Sequence, residues 1–143
     1  MLIGEYYHTV DTKGRMSLPA KFRQVFKSGA VITRGLDNCL FIYPKQGWQK
    51  LADKLAALPI SQAKTRAFAR LMLAGAMDVL LDKQGRINLP DYLMSYAKLN
   101  KKVIVTGLYD RLEIWDENEC NKYRQQTEAS SSDIAEALGE LGV

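Results

Sequence analysis

The sequence predicts an α+β domain, mainly β, made of one small unit written twice. Three observations predict it. The pentapeptide Asp11-Thr12-Lys13-Gly14-Arg15 returns seventy-one positions later as Asp82-Lys83-Gln84-Gly85-Arg86, and each copy runs into a Leu-Pro pair, Leu18-Pro19 and Leu89-Pro90. Further on, Val31-Ile32-Thr33-Arg34-Gly35-Leu36 matches Val103-Ile104-Val105-Thr106-Gly107-Leu108, and Leu40-Phe41-Ile42-Tyr43 matches Leu112-Glu113-Ile114-Trp115. The register slips by one residue between motif and later blocks, as an insertion near Lys101-Lys102 would produce. Internal repetition of this kind sets the architecture before any local pattern is read.

Within the first unit, Tyr6 to Val10 is rich in β-branched and aromatic residues and reads as a strand. Asp11 opening a turn and Gly14 closing it in a left-handed conformation predict a tight hairpin. On the returning strand Arg15 and Ser17 point one way, Met16 and Leu18 the other. Pro19 suits the first position of a helix, which Ala20 to Lys27 would continue with Phe22, Val25 and Phe26 as its apolar stripe. A second hairpin is hinged near residues 35–38. The second unit repeats the pattern: Val79-Leu80-Leu81, the turn, Arg86 and Asn88 outward, Ile87 and Leu89 inward, Pro90, and a hairpin hinged near residues 107–110.

Helices connect and follow the units. Trp48, Leu51, Leu55 and Leu58 fall at helical spacing and stop at Pro59. Ser61 is placed to cap a second stretch, with Ala67, Phe68, Leu71 and Met72 on its buried side, ending near Gly75. Asp116 can cap a helix carrying Cys120 and Tyr123. The division is residues 1–58 for the first unit, 59–76 for a connecting helix, 77–123 for the second unit and 124–143 for a C-terminal tail, in which Ile134, Leu138 and Leu141 share a helical face. A unit of this size is too small to bury a sound core alone, so two must share one.

With 143 residues, 47% of them apolar, the composition is that of one soluble domain. No apolar run approaches a membrane span, and no basic-then-apolar leader opens the chain. Cys39 and Cys120 are isolated and read as buried reduced thiols of a reducing compartment, the cytoplasm. No Cys/His cluster has metal-ligand spacing, no cofactor or small-molecule site is expected, and the lone His8 reads as a packed residue. Absence of a Ser/His/Asp set, metal cluster or phosphate-cradling loop argues against an enzyme.

Charge is unevenly distributed. Residues 1–75 carry twelve Lys/Arg against four Asp/Glu, and residues 76–143 carry eight against twelve, about +8 and −4. Lys13, Arg15, Lys21, Arg23 and Lys27 lie near the first turn in sequence, whereas Asp78, Asp82 and Asp91 lie near the second. Such asymmetry speaks of partners: a phosphate backbone attracted to a basic tip, or oppositely charged halves stacked head to tail between protomers. By its residue type and position alone, Arg15 reads equally as a solvated strand-face charge.

Two Asp-x-x-Gly-Arg turns, each followed by Leu-Pro, together with the stretch from Arg66 to Ala76 and the Leu112-Glu113-Ile114-Trp115 segment, resemble the MraZ family of bacterial transcriptional regulators from Met1 to about Tyr123. A single turn resembles the wider AbrB/SpoVT/MazE superfamily. The resemblance implies a pseudo-two-fold double swapped-hairpin (AbrB-like) β-barrel with flanking helices, and protomers assembled into a homo-oligomeric ring. It also implies binding of double-stranded DNA tandem repeats upstream of the division and cell-wall gene cluster containing the regulator's own gene, generally as a repressor, which places the protein at the nucleoid. By the same resemblance Arg15 and Arg86 are the DNA contacts. Lys13 and Thr12 suit phosphate contacts beside Arg15, with Lys83 the corresponding basic residue of the second turn. Asp11 and Asp82 position their turns, and Gly14 and Gly85 supply positive φ. Because Gln84 replaces Lys13 and acidic residues surround it in sequence, the second turn is expected to contribute less. An alternative from the same superfamily is a protein-binding antitoxin or assembly module, disfavoured by the fused units and short tail.

Overall fold

A computed structural model describes residues 1–143. Its strands are β1 (Leu2–Thr9), β2 (Arg15–Ser17), β3 (Ala30–Arg34), β4 (Leu40–Pro44), β5 (Met77–Val79), β6 (Arg86–Asn88), β7 (Lys102–Tyr109) and β8 (Leu112–Asp116). The helices are α1 (Lys45–Ala56), α2 (Ala63–Ala69), α3 (Asp91–Tyr96), α4 (Glu117–Ala129) and α5 (Ser131–Ala137). The protein is α+β and mainly sheet: a six-stranded antiparallel sheet in the order β1-β7-β8-β4-β3-β5, and a two-stranded ribbon, β2-β6. The large sheet ends at β1 and β5, so its hydrogen-bond ladder does not close into a barrel. No helix is long and apolar enough to cross a membrane.

Beyond one antiparallel bridge, Val10 to Met16, the predicted hairpins at the two motif turns do not extend past the turns. Their arms leave for the other unit: β1 pairs with β7, β5 with β3, and β2 with β6. What remains local is the closure of each turn, with Asp11 N–H donating to Arg15 O and Asp82 N–H to Arg86 O, both at 2.9 Å. Alternation identifies which side chains face inward but does not choose the neighbouring strand. The second hairpins, β3-β4 and β7-β8, do pair within their units and meet across β4-β8.

A pseudo-two-fold axis follows from these registers. It passes between Met16 and Ile87 in the ribbon and between Phe41 and Glu113 in the sheet, each residue facing its own counterpart. One alignment requires correction. Matching by letter pairs Val31 with Val103, but Ala30 and Ile32 share a core with Val103 and Val105. The spatial offset for this strand is therefore 73, because a one-residue slip would turn every side chain to the other face. Thr33 thus corresponds to Thr106, and Arg34 to Gly107. The five residues between Arg34 and Leu40, where Asp37 and Asn38 take φ of 63° and 62°, correspond to four between Gly107 and Leu112, two of which extend β7, and the one-residue loss restores the offset of 72.

Two apolar clusters flank the sheet. Met16, Leu18, Phe22 and Phe26 join Ile87, Leu89 and Leu93 between the ribbon and one face. Cys39, Phe41, Tyr43 and Leu55 join Met72, Ile104, Trp115 and Cys120 on the other, under α1 and α4. The halves differ there. Thr33 Oγ1 donates 2.6 Å to Met72 O in the π-turn Arg70–Ala74, whereas the buried Thr106 hydroxyl has no partner.

Other local expectations change in detail. Residues 20–27 form a 3-10 helix at Ala20–Phe22 and successive i→i+3 turns in place of an α-helix, leaving Val25 exposed. Pro19 and Pro90 precede their helices as N-cap residues. Gln62, not Ser61, is the N-cap of α2, which buries no residue; Met72 after it carries the burial. Asp116 does cap α4, accepting from Glu119 N–H at 3.2 Å. In the tail, α5 and a 3-10 turn at Gly139–Leu141 are exposed throughout.

Candidate nucleic-acid interface

Each motif turn is built by one aspartate. Asp11 Oδ1 accepts from the backbone N–H groups of Lys13 and Arg15, both at 2.9 Å, while its Oδ2 accepts from Arg15 Nε at 2.7 Å. Asp82 does the same for Gln84 N–H (2.8 Å), Arg86 N–H (2.9 Å) and Arg86 Nε (2.8 Å). The N–H bond from Arg15, then its side chain and Lys13 N–H, hold the Asp11 carboxyl below its ordinary pKa; Asp82 is lowered alike by Arg86 and Gln84. Gly14 and Gly85 close the turns at φ of 79° and 74°. This makes the two aspartates turn-builders that also fix the direction of an arginine. Because each guanidinium is held through Nε, its two terminal nitrogens stay free for a planar acceptor.

The ribbon brings the two arginines together. Arg15 stands opposite Asn88 and Ser17 opposite Arg86, with Met16 and Ile87 turned inward. Arg15 and Arg86 therefore share the outer face as diagonal neighbours, about 7–8 Å apart along the backbone. Thr12, Lys13, Lys83 and Gln84 are exposed at the turns.

The surroundings of the turns contradict the grouping by sequence. Because the strands are exchanged, each turn rests on the other unit. A Cβ on Gly14 would meet Leu89 O at 2.9 Å and Met94 Cε at 3.3 Å. A Cβ on Gly85 would instead meet Arg23 Cδ at 2.5 Å and Cζ at 2.6 Å. Arg23, near the first turn in sequence, thus stands at the second, and Met94 occupies the matching place at the first. Lys21 lies over the rings of Tyr6 and Phe22, 5.6 Å and 5.4 Å from their centroids. The first turn gains Lys101, whose carbonyl accepts from Val10 N–H at 2.8 Å. Sequence reasoning placed Arg23 wrongly. The repeat offset of 71 pairs it with Met94, but its location follows only once strand exchange is known.

Other candidates stay apart from this face. Burial, with Arg23 second, lowers the His8 pKa. Cys39 and Cys120 are buried free thiols raised above their ordinary pKa, chiefly by desolvation. No group of three His, Cys, Asp or Glu side chains is placed to hold a metal ion.

Known proteins share this duplicated pattern. A family model described as "MraZ protein, putative antitoxin-like" matches twice, over residues 1–71 and 72–140. A protein of Moorella thermoacetica is 49% identical over 140 residues, covering 98% of this chain and 95% of its own. One of Natranaerobius thermophilus is 45% identical over 143 residues, the whole of both chains. One of Desulforamulus reducens is 45% identical over 141 residues, 99% of each. All three carry the name Transcriptional regulator MraZ, so the class is one of transcriptional regulators and not of enzymes. The chain belongs to the MraZ family.

Proposed function

We propose that this transcriptional regulator is a sequence-specific DNA-binding repressor that reads tandem repeats in the promoter of its own division and cell-wall gene cluster. Arg15 and Arg86 are the base-reading pair; Thr12, Lys13 and Lys83 contact phosphate; Asp11, Asp82, Gly14 and Gly85 hold the turns. The observation that carries this reading is the placement of both arginines on the outer face of one two-stranded ribbon, each with its terminal nitrogens free. A two-stranded ribbon fits the major groove, about 12 Å wide, where arginine grips guanine O6 and N7. This geometry favours joint reading by the two turns over a dominant first turn.

One ribbon presents little surface for tight specific binding. A homo-oligomeric ring facing successive DNA repeats gains through effective concentration, and the opposite charge of the two halves suits head-to-tail assembly. On this reading the strand exchange is the swapped-hairpin arrangement of the superfamily, and the protein works in the cytoplasm on the nucleoid.

The test is a binding titration at several salt concentrations on duplexes holding one, two or four promoter repeats. Wild type is expected to favour the longer arrays over scrambled DNA, and Arg15→Ala/Arg86→Ala to lose that preference. Equal binding of promoter and scrambled duplexes by wild type would refute sequence-specific reading.

A further inference from the structure

We infer that Arg23 is a third nucleic-acid contact, delivered by strand exchange to the second turn, where it adds a cationic group that the first turn lacks. The inference rests on the DNA-binding reading above but uses a residue that reading does not.

The geometry begins with Gly85. Its left-handed φ of 74° already favours glycine, and the space where a side chain would start is filled by the Arg23 guanidine. Arg23 Nε donates to Leu18 O at 3.1 Å, and Leu18 N–H donates in turn to Gly85 O at 3.0 Å. The side chain is therefore pinned at its Nε to the strand end beside the second turn. Arg15 and Arg86 form ion pairs with their own turn aspartates, whereas Arg23, like Arg34, Arg66 and Arg70, forms none. A half-buried guanidinium with no acidic partner, fixed through one nitrogen and next to an arginine-bearing turn, presents its remaining donors to an anion.

The pseudo-two-fold axis provides an internal control. The counterpart of Arg23 is Met94, packed against Gly14 at the first turn. Methionine fills that space without charge or hydrogen-bond donors. Lys101 flanks the first turn from another side, so neither end of the ribbon is bare, but only the second has a guanidinium seated against its glycine. By the same exchange Asp91, near the second turn in sequence, lies on the helix whose Met94 packs at the first. Duplex DNA, with evenly spaced phosphates along the ribbon, is the polyanion this arrangement fits.

The chain as it stands can test this. Specific binding to a promoter tandem-repeat duplex is measured across a salt series for wild type, Arg23→Met, Arg23→Lys and Met94→Arg. Thermal unfolding of each variant reports on folding. Arg23→Met copies the first turn; it is expected to weaken binding roughly tenfold and to reduce the salt slope by about one per protomer bound. Arg23→Lys should keep the slope while losing part of the affinity, because the charge stays and the Leu18 anchor goes. Met94→Arg should steepen the slope and tighten binding. A purely structural role predicts loss of stability with an unchanged slope in both Arg23 variants, and that result would overturn the inference. So would an Arg23→Met protein that melts and binds like wild type. Failure of wild type to bind any duplex would remove the DNA reading itself, whereas normal wild-type binding with indifferent Arg23 variants would remove only this addition to it.

Discussion

The two motif turns have nearly the same backbone and different neighbours. Each is tied by an aspartate to two backbone N–H groups and an arginine Nε, with donor–acceptor distances agreeing within 0.1 Å. Yet the first leans on Met94 and the second on Arg23. The sheet repeats the contrast, with Phe41 facing Glu113 across the axis and a satisfied Thr33 answering an unsatisfied Thr106. Duplication has preserved what the backbone needs to turn and pair, and has let the two halves diverge where side chains meet something outside their own unit.

The comparison is sharpened first where the halves should behave alike. Met16 and Ile87 face each other at the axis, 0% and 1% exposed. Truncating either to alanine is expected to cost about 2–5 kcal/mol by denaturant unfolding. Similar losses would establish a shared centre, and a large disparity would mean that one unit carries the ribbon.

The glycines come next. Gly14→Ala places a methyl 2.9 Å from a backbone oxygen, Leu89 O, at positive φ; about 1–3 kcal/mol of stability should be lost. Gly85→Ala meets a side chain and not the backbone; Arg23 can swing away at the expense of its exchangeable bond to Leu18 O, so the stability loss should be the smaller of the two, about 1 kcal/mol. Equal unfolding midpoints for the two variants would break this part of the contrast.

Thr33→Val removes a buried hydrogen bond and leaves Met72 O unmatched, at a cost of about 1–2 kcal/mol. Thr106→Val removes a hydroxyl that has no partner to lose, and thermal unfolding should find it neutral or slightly stabilised. A Thr106→Val protein as damaged as Thr33→Val would show that the halves are more alike than their hydrogen bonds suggest.

The smallest effect should be common to both turns. Folding lowers the Asp11 and Asp82 pKa values, so their stabilisation is fully present above the ordinary aspartate range, about pH 4, and is lost as pH falls through the lowered values. Urea midpoints of Asp11→Asn and of wild type should differ at pH 7 and converge as pH falls below the ordinary aspartate range. A gap that persists at low pH would point to geometry in place of charge.

Much of this was legible in the residues. The motif predicted both turns and their positive-φ glycines, alternation placed Met16 and Ile87 inward, and Asp116 announced α4. What escaped was relational. A period-2 pattern specifies a face but no partner, so the local pattern predicts hairpins where strands cross to the other unit, and only the family resemblance implied exchanged strands. Arg23 followed that error to the wrong turn. The 72-residue match of Val31 to Val103 failed because identical letters lie on opposite faces, and only the shared core of Ala30 with Val103 reveals it. Ser61 lost its place as a cap because Thr65 Oγ1 and Arg66 N–H both turn to Gln62 O, moving the helix start by one residue.

The pairing of β1 with β7 also sets an order of events at synthesis. Leu2 to Thr9 bond to Tyr109 to Lys102, so β1 has no partner until synthesis has passed Tyr109. At about 5–20 residues per second, translation takes several seconds to span that distance. Neither unit can complete its sheet while the ribosome is still making the other, and contacts this distant in sequence place folding among slow topologies. The whole domain must therefore close late and together, with Leu2 and Tyr6 waiting unpaired in the meantime.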